Sequence, residues 1–174
     1  MMELEPKKVS ESITEMNEMV MPNDTNPLGN LMGGNLMRWM DIASSICASR
    51  HCESFVVTVS VDHLTFQEPI KLGDIVTIRA QVTRSFHTSI EIFMEVFTKG
   101  ILQHSPRKSN QAYFTFVALD ERTMKPKNVP GVIAETTEEK EQFEGAAIRR
   151  EFRLVVSGKI KPSEAKQSQD FLNS

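Results

Sequence analysis

Residues 24–41 read Asp-Thr-Asn-Pro-Leu-Gly-Asn-Leu-Met-Gly-Gly-Asn-Leu-Met-Arg-Trp-Met-Asp, and this stretch decides the fold. Its first half is dense in turn formers, and Asn26 precedes a proline, which biases it away from helix. Residues 35–51 follow helical spacing. One stripe is Leu36, Met40, Ala43 and Cys47, and the adjoining stripe is Met37, Asp41, Ser44 and Ala48. The segment predicts a loop that becomes, at Gly33 and Gly34, a long buried helix.

Strand patterns lie on both sides of this helix. Period-two alternation occupies residues 55–61, 76–83, 90–97 and 112–118. Residues 8–21 alternate more loosely and predict an edge strand. Because the connectors are too short for crossover helices, we expect each later strand to form a hairpin with the one before it. The order predicts an α+β domain in which an antiparallel sheet lies on one apolar helix.

The C-terminal third predicts a connector, a second helix and a polar tail. Residues 136–155 read as the helix, because Thr136 and Glu139 match a capping box and the charges run from acidic to basic along the dipole. The predicted organisation is an N-terminal extension (1–8), the main domain (9–121), a connector with the C-terminal helix (122–156) and a disordered tail (157–174).

Bulk properties exclude several classes of function. A chain of 174 residues suits one domain, and its net charge of −3 points to neither nucleic acid nor an anionic membrane as partner. The acidic N-terminus resembles neither a secretory signal nor a transit peptide, and no apolar run reaches the ~18 residues that span a membrane. Cys47 and Cys52 indicate no disulfide framework, so we expect a cytoplasmic protein. With His51 they form no recognised metal spacing, and we expect no metal site.

Three features of the opening stretch are candidates for chemistry. The first amides of a helix, here near Gly33 and Gly34, can stabilise a carbonyl oxygen that gains negative charge. The alternative is a tight turn that packs helix on sheet. Asp41 is a carboxylate on an apolar helical stripe, which suits a general base or a structural bond to a neighbouring strand. Asn26 either serves only as a turn residue or binds a water molecule or a substrate carbonyl.

Residues 24–41 resemble the signature of hotdog-fold acyl-CoA thioesterases of the cytosolic acyl-CoA hydrolase type. Two further blocks resemble this family. One is Val61-Asp62-His63-Leu64-Thr65-Phe66-Gln67-Glu68-Pro69-Ile70 with Gly73-Asp74, and the other is Ser85-Phe86-His87-Thr88-Ser89, where members often have a glycine at residue 86 or 87. The resemblance covers about residues 9–120.

This resemblance implies a hotdog fold, in which five or six antiparallel strands wrap around the central helix. It implies homodimers that join edge to edge and assemble into tetramers or hexamers. It also implies active sites between protomers, where Asp41 of one chain activates a water, or attacks directly, and Asn26 of the other orients the reactants. The expected reaction converts acyl-CoA to free acid and CoA, with no cofactor beyond the CoA of the substrate.

Coenzyme A needs hydrogen bonds for its pantetheine arm and cations for its phosphates. Thr88 and Ser89 are candidates for the arm, although each is also an ordinary strand residue. For the phosphates, the candidates are Arg84, Arg107, Lys108, Arg149 and Arg150, each of which is otherwise a solvated surface charge.

Two other functions compete with hydrolysis. The same pocket suits a non-catalytic acyl-CoA sensor, although the presence of both Asn26 and Asp41 argues against it. A hotdog hydratase or dehydratase would need a catalytic histidine near the start of the helix. The nearest histidine, His51, lies at the helix end, far from Gly34.

Overall fold

The computed structural model describes residues 4–65 and 68–168. The elements in chain order are β1 (Lys7–Lys8), β2 (Thr14–Met19), α1 (Gly33–Cys52), β3 (Phe55–Asp62), β4 (Ile75–Ser85), β5 (Ser89–Lys99), β6 (Arg107–Leu119), β7 (Val132–Ile133) and α2 (Thr137–Val156). This order confirms the predicted succession of a strand, a long helix, four strands and a second helix. Among the described residues, neither helix has the length and apolar character needed to cross a membrane.

Five strands form one antiparallel sheet in the order β2-β4-β5-β6-β3. The predicted hairpins β4–β5 and β5–β6 are confirmed, but the prediction that β4 pairs with β3 is wrong. Instead, β3 pairs with β6 at the edge opposite β2. The 20 residues of α1 extend about 30 Å, which exceeds the about 19 Å across five strands. The helix therefore carries the chain from one edge of the sheet to the other.

The inner face of the sheet packs on α1 and forms the core. Alternate residues of the three central strands are buried there: Val76, Ile78, Ala80, Ile90, Ile92, Met94, Ala112, Phe114 and Phe116. They meet the predicted buried stripe of α1, which includes Leu36, Met40, Ala43 and Cys47. Full burial of each large apolar side chain stabilises the fold by about 1.5–3 kcal/mol, so this layer holds the helix in place.

The second helix, α2, has its predicted N-terminal capping box. The hydroxyl of Thr136 accepts a hydrogen bond from the amide of Glu139 at 3.1 Å, and the carboxylate of Glu139 accepts one from the amide of Thr136 at 3.1 Å. These bonds satisfy two backbone donors that otherwise lack partners, and they set the first turn of the helix.

A buried ion network holds α2 on the outer face of the sheet. Glu91 of β5 is completely buried, and its carboxylate oxygens lie 2.8 Å from Arg149 and 2.8 Å from Arg153 of α2. Arg153 also reaches Asp62 of β3 at 3.0 Å. An unpaired buried carboxylate would be costly, so the two arginines both neutralise Glu91 and bind the helix to the sheet.

Both ends of the described chain make contacts with the rest of the fold that their composition does not predict. The sequence predicts disorder from residue 157, yet up to residue 168 the chain folds back on α2: Ala165 is buried, and the Ser168 hydroxyl donates to Glu151 at 3.0 Å. Polar hydrogen bonds hold this segment, so hydropathy carries no signal of it. At the other end, β1 pairs in parallel with β7, which joins the predicted N-terminal extension to the connector.

Residues 66 and 67 of the second motif block, and residues 169–174 of the predicted tail, lie outside the described residues.

Candidate active site

The N-terminus of α1 carries two backbone amides that have no partner among the described residues. Met32, the residue before the helix, provides no side-chain cap, and the first turn contains no acidic residue. The Met32 carbonyl accepts hydrogen bonds from the amides of Asn35 and Leu36, but in the described part of the chain the amides of Gly33 and Gly34 donate to no acceptor. A Cβ at Gly34 would meet no atom within 4 Å. These two amides and the positive end of the helix dipole can stabilise a developing negative charge.

Asn26 organises the loop that leads to this helix. Its side-chain oxygen accepts hydrogen bonds from the amides of Leu28 at 3.0 Å and Asn30 at 3.2 Å, and its backbone amide donates to the Asn30 carbonyl at 2.8 Å. Within residues 4–65 and 68–168 the side-chain amino group, Nδ2, has no acceptor. Asn26 is therefore a turn residue that also keeps its amino group available for a ligand.

A cavity of about 350 Å³ lies between this loop, the start of α1 and β6. We call it the loop cavity, and it is lined by Asn26, Asn30, Leu31, Gly33, Leu36, Glu68, Pro69, Ile70 and Asn110. Arg107 holds one wall, because it donates to the Glu68 carboxylate and, at 3.1 Å, to the Pro69 carbonyl. A water molecule occupies about 30 Å³, so the loop cavity has room for a thioester group and the first atoms on either side of it.

Asp41 lies two turns along α1 and faces β3 instead of the loop cavity. Its Oδ1 accepts a hydrogen bond of 2.6 Å from the hydroxyl of Thr58. The Asp41 carboxylate is half-buried, and its Oδ2 has no partner among the described residues. The carboxylate is thus held by one bond to a neighbouring strand, while its other oxygen stays available for a proton.

The edge strand β3 exposes apolar side chains around Thr58. Phe55, Val57 and Val59 are 60%, 42% and 55% exposed. The strand is eight residues long, and its outer edge has no strand partner in the described sheet. Such an edge is a template for pairing with another strand. Asp41 and Thr58 therefore lie beside a surface that favours association.

The outer face of the sheet contains a groove that gathers several predicted CoA contacts. This outer groove has a volume of about 310 Å³, and its polar lining comprises Ser60, Thr88, Ser89, Thr115, Arg150, Arg153, Ser157 and Lys159. The guanidinium of Arg150 also lies 4.8 Å from the centre of the Phe86 ring. Thr88, Ser89 and Arg150, three of the predicted contacts, thus line the same groove.

The other four basic candidates have protein partners. Arg149 pairs with buried Glu91, Arg107 with Glu68 and Lys108 with Glu95. Arg84 lies 4.3 Å from the ring of Phe143 and donates to its carbonyl at 3.4 Å. None of these four lines the outer groove, which has Arg150, Arg153 and Lys159 as its cations. Since Arg153 is bound by Glu91 and Asp62, Arg150 and Lys159 are the cations available to an anionic ligand.

The cysteines and the central-helix histidine are enclosed in the protein. Burial raises the pKa of Cys47 to about 12 and that of Cys52 to about 11, so neither is a thiolate at neutral pH. Burial also lowers the pKa of His51, whose Nε2 lies 3.3 Å from the Pro130 carbonyl and whose Nδ1 lies 3.4 Å from the Ser12 hydroxyl. His51 is about 25 Å along the helix from its N-terminus, too far to act in the loop cavity. Among the described residues, no group of three His, Cys, Asp or Glu is arranged to hold a metal ion.

Residues 28–103 match the family model described as Thioesterase superfamily. An uncharacterized acyl-CoA thioester hydrolase of Bacillus subtilis, YkhA, is 37% identical over 135 residues, which are 78% of this chain and 78% of that protein. The chain belongs to the thioesterase superfamily. This membership confirms the family resemblance seen in its motifs.

Several relatives in the thioesterase superfamily are much longer than this chain. Acyl-coenzyme A thioesterase 11 of Mus musculus is 35% identical over 147 residues, which are 84% of this chain and 24% of that protein. The cytosolic acyl coenzyme A thioester hydrolase of Mus musculus is 35% identical over 142 residues, which are 80% of this chain and 37% of that protein. The chain therefore spans between about a quarter and two fifths of these relatives.

Solved structures of acyl-CoA thioesterases share the fold of this superfamily member. An apo-hexameric acyl-CoA thioesterase is 33% identical with a TM-score of 0.84, over 88% of this chain and 98% of that chain. An acyl-CoA hydrolase of Staphylococcus aureus, solved with butyryl coenzyme A, coenzyme A and coenzyme A disulfide, is 36% identical with a TM-score of 0.80, over 97% of this chain and 99% of that one. These likenesses confirm the hotdog fold, with five strands around α1.

The Staphylococcus aureus hydrolase has also been solved with an asparagine, an aspartate or a threonine replaced by alanine. In that protein, the aspartate follows the asparagine by 15 residues and the threonine follows the aspartate by 17.

In this member of the thioesterase superfamily, the structure brings Asn26 and Gly33 together in one cavity and places Asp41 elsewhere, beside Thr58. Sequence reasoning missed Thr58 and Lys159. Thr58 had no signal in the sequence, because simple alternation puts it on the opposite face from Val61, and only the bulge after Thr58 gives both residues the same face. Lys159 had none, since it follows α2 in a stretch of polar residues.

Proposed function

We propose that this protein hydrolyses acyl-CoA thioesters to free acids and coenzyme A. The observation that carries the proposal is the 2.6 Å hydrogen bond from Thr58 to Asp41, which orients a carboxylate whose second oxygen has no partner in the described structure. Such a carboxylate suits a general base. The partner-free amides of Gly33 and Gly34 suit the oxyanion that forms when a thioester carbonyl is attacked.

The spacing of three residues supports the same assignment. Asn26, Asp41 and Thr58 follow one another at intervals of 15 and 17 residues. These are the intervals between the asparagine, aspartate and threonine that were replaced in the Staphylococcus aureus hydrolase. We therefore assign Asn26, Asp41 and Thr58 together to the reaction.

The proposed mechanism uses water as the nucleophile. Asp41 accepts a proton from the water while the water oxygen forms a bond to the thioester carbon. The carbonyl oxygen becomes negative and is stabilised by the Gly33 and Gly34 amides, with Asn26 Nδ2 as a further donor. The C–S bond then breaks, and the proton held by Asp41 passes to the departing CoA thiolate. Direct attack by the Asp41 carboxylate, followed by hydrolysis of the anhydride, is the other route to the same products.

The geometry of α1 favours an active site shared by two protomers. Asp41 lies seven residues beyond Gly34, which is about 10 Å along a helix. A carbonyl bound at one chain's glycine amides is therefore out of reach of that chain's own Asp41. Pairing of two exposed β3 edges would bring Asp41 of one protomer towards the loop cavity of its partner. We propose a homodimer, assembling further into tetramers or hexamers, and hexameric thioesterases among its structural relatives support this.

The outer groove is the proposed position of coenzyme A. Thr88 and Ser89 offer hydroxyl groups for the pantetheine arm, and Arg150 and Lys159 offer cations for the phosphates. CoA is part of the substrate, and the mechanism requires no separate cofactor or metal. We place the protein in the cytoplasm, which agrees with the cytosolic hydrolases among its relatives.

The test of this function is the release of free thiol from acyl-CoAs of increasing length. Asp41→Asn should lower kcat about 10²–10⁴-fold, because it removes the base and preserves the shape. Asn26→Ala should lower kcat less, since water can partly replace an orienting amide. Glu15→Gln, which neutralises an exposed carboxylate on β2, should change nothing. A wild-type protein that binds acyl-CoA but releases no thiol would instead be a sensor.

Mixing variants tests the shared site. When Asn26→Ala and Asp41→Asn chains are co-expressed equally, random pairing into two-fold dimers leaves about a quarter of all sites with both native residues. Activity should rise to about a quarter of the wild-type value, above that of either variant alone. No rise on mixing would place both residues of each site in one chain.

A further inference from the structure

The loop cavity contains a carboxamide on a strand face that is otherwise apolar. Asn110 of β6 pairs with Val96, faces the core and is only 3% exposed. A register shift makes Ser109 an extra residue in β6. As a result Lys108, only two positions earlier, faces the opposite side of the sheet, where it bonds to Glu95. Bulges of this kind re-aim side chains and occur often beside active sites.

The side-chain oxygen of Asn110 has no hydrogen-bond partner in the part of the chain that the structure describes. Its Nδ2 donates to the Thr65 carbonyl, whereas its buried Oδ1 accepts no hydrogen bond in the described part of the chain. Buried acceptors without partners are uncommon in folded proteins, because desolvation is then uncompensated. Since Asn110 shares the loop cavity with Asn26 and Gly33, the missing donor is expected to come from a bound ligand.

We propose that Asn110 is a further substrate-binding residue, whose Oδ1 accepts a hydrogen bond from the pantetheine amide N–H nearest the thioester sulfur. This inference rests on the proposed hydrolase function. The thioester carbonyl and sulfur cannot donate a hydrogen bond to Asn110. The nearest donor in the substrate is the pantetheine N–H, which two carbon atoms separate from the sulfur. Asn26 and the helix amides offer donors to the carbonyl, and Asn110 supplies the acceptor that the arm requires.

The side chain of Asn110 can turn to meet this group. Among the described residues its carboxamide makes one hydrogen bond, to Thr65, and the terminal torsion of asparagine is broad, so rotation of the carboxamide can turn Oδ1 towards a ligand. The attacking water is the other donor that a ligand-filled cavity would contain. If Asn110 bound the attacking water, its replacement would slow the hydrolysis of every thioester equally. If it binds the pantetheine arm, its replacement should slow only substrates that contain the amide N–H.

Two truncated substrates test the proposal. The N-acetylcysteamine thioester of butyric acid contains the N–H, and S-butyl thiobutyrate has none. Asn110→Leu should lower kcat/KM for the first, and for butyryl-CoA, about tenfold, equivalent to about 1.4 kcal/mol. It should leave the second within about twofold of wild type. Because both are measured on one protein preparation, incomplete folding lowers both values and leaves their ratio intact.

Control variants sharpen the comparison. Gln111→Leu removes an exposed carboxamide on the opposite face of the same strand and should leave the ratio unchanged. Asn110→Asp keeps an oxygen acceptor and should preserve most of the discrimination. If Asn110→Leu lowers kcat/KM equally for both thioesters, Asn110 acts on the attacking water or on folding, and the proposed contact is wrong. If neither kcat/KM value changes, Asn110 has no role in substrate binding.

Calorimetry with S-butyl-CoA, a thioether that cannot be hydrolysed, separates this inference from the proposed reaction. Asn110→Leu should bind it about tenfold more weakly than wild type. A wild-type protein that shows no turnover but has this difference in Kd would overturn the hydrolase and keep the Asn110 contact. Equal Kd values would overturn the contact alone.

Discussion

The bond between Thr58 and Asp41 makes a quantitative prediction for the substitution Thr58→Val, which keeps the shape and removes the hydroxyl. A hydrogen bond to a charged group contributes about 1.5–3 kcal/mol. Because Thr58 is exposed in the single chain and water can replace its hydroxyl, the lower figure applies, which corresponds to about a tenfold fall in kcat. The physical reason is that a carboxylate held at 2.6 Å has a fixed orientation, and an unbonded one rotates away from the attacking water.

Thiol release from butyryl-CoA at saturating concentration measures this effect, with KM determined in the same series. KM should change little, since the bond acts on the base and not on substrate binding. Thr58→Ser should restore most of kcat. Thr77→Val is the matched control, because Thr77 donates a bond of the same 2.6 Å to Asn17 at the other edge of the sheet. If Thr58→Val stays within about twofold of wild type, or loses no more than Thr77→Val, the assignment of Thr58 is wrong.

Two further predictions concern stability. Glu91→Leu should lower the free energy of unfolding by about 3 kcal/mol, because it leaves Arg149 and Arg153 without their buried partner, and an unchanged urea midpoint would contradict this. Burial holds the pKa of His51 below its ordinary value of 6.5, so between the two values the unfolded chain binds a proton that the folded chain does not. The contribution of His51 is therefore fully present above the unfolded-state pKa of 6.5 and is lost progressively as pH falls from there towards the lower pKa of the folded state. His51→Gln should remove this part of the pH dependence of the free energy of unfolding. If urea denaturation of the variant and of the wild type shows the same pH dependence, the prediction is wrong.

The existence and type of the main elements were predictable because their patterns are local, whereas some ends differ by five or six residues, as at the starts of β2 and β6. Apolar spacing marked α1 and the four main strands, and capping chemistry marked the start of α2. The pairing of β4 with β3 was predicted wrongly, since alternation shows that a segment is a strand but not which strand lies beside it. The structure places β3 beside β6, at the edge opposite β2, and this pairing joins segments that lie far apart in the sequence.

Within the candidate site, local chemistry and long-range contacts were predictable to different degrees. Asn26, Gly33, Gly34 and Asp41 stood out because turn formers and a carboxylate on an apolar stripe are visible in the sequence. Arg149 was grouped with possible phosphate ligands, yet it is bound to Glu91, which lies 58 residues earlier in the chain. Glu91 looks like an exposed residue of an alternating strand, and only the docking of α2 buries it.

The sequence by itself determined where the helix and strands form and where the glycine-rich turn meets the helix, because backbone periodicity and turn geometry depend on neighbouring residues. Tertiary structure decided that β3 is an edge strand, that Thr58 reaches Asp41 and that a bulge turns Asn110 towards the loop cavity. These outcomes depend on which distant segments pack together with the lowest free energy. That balance is a property of the whole fold, and no short segment of the sequence contains it.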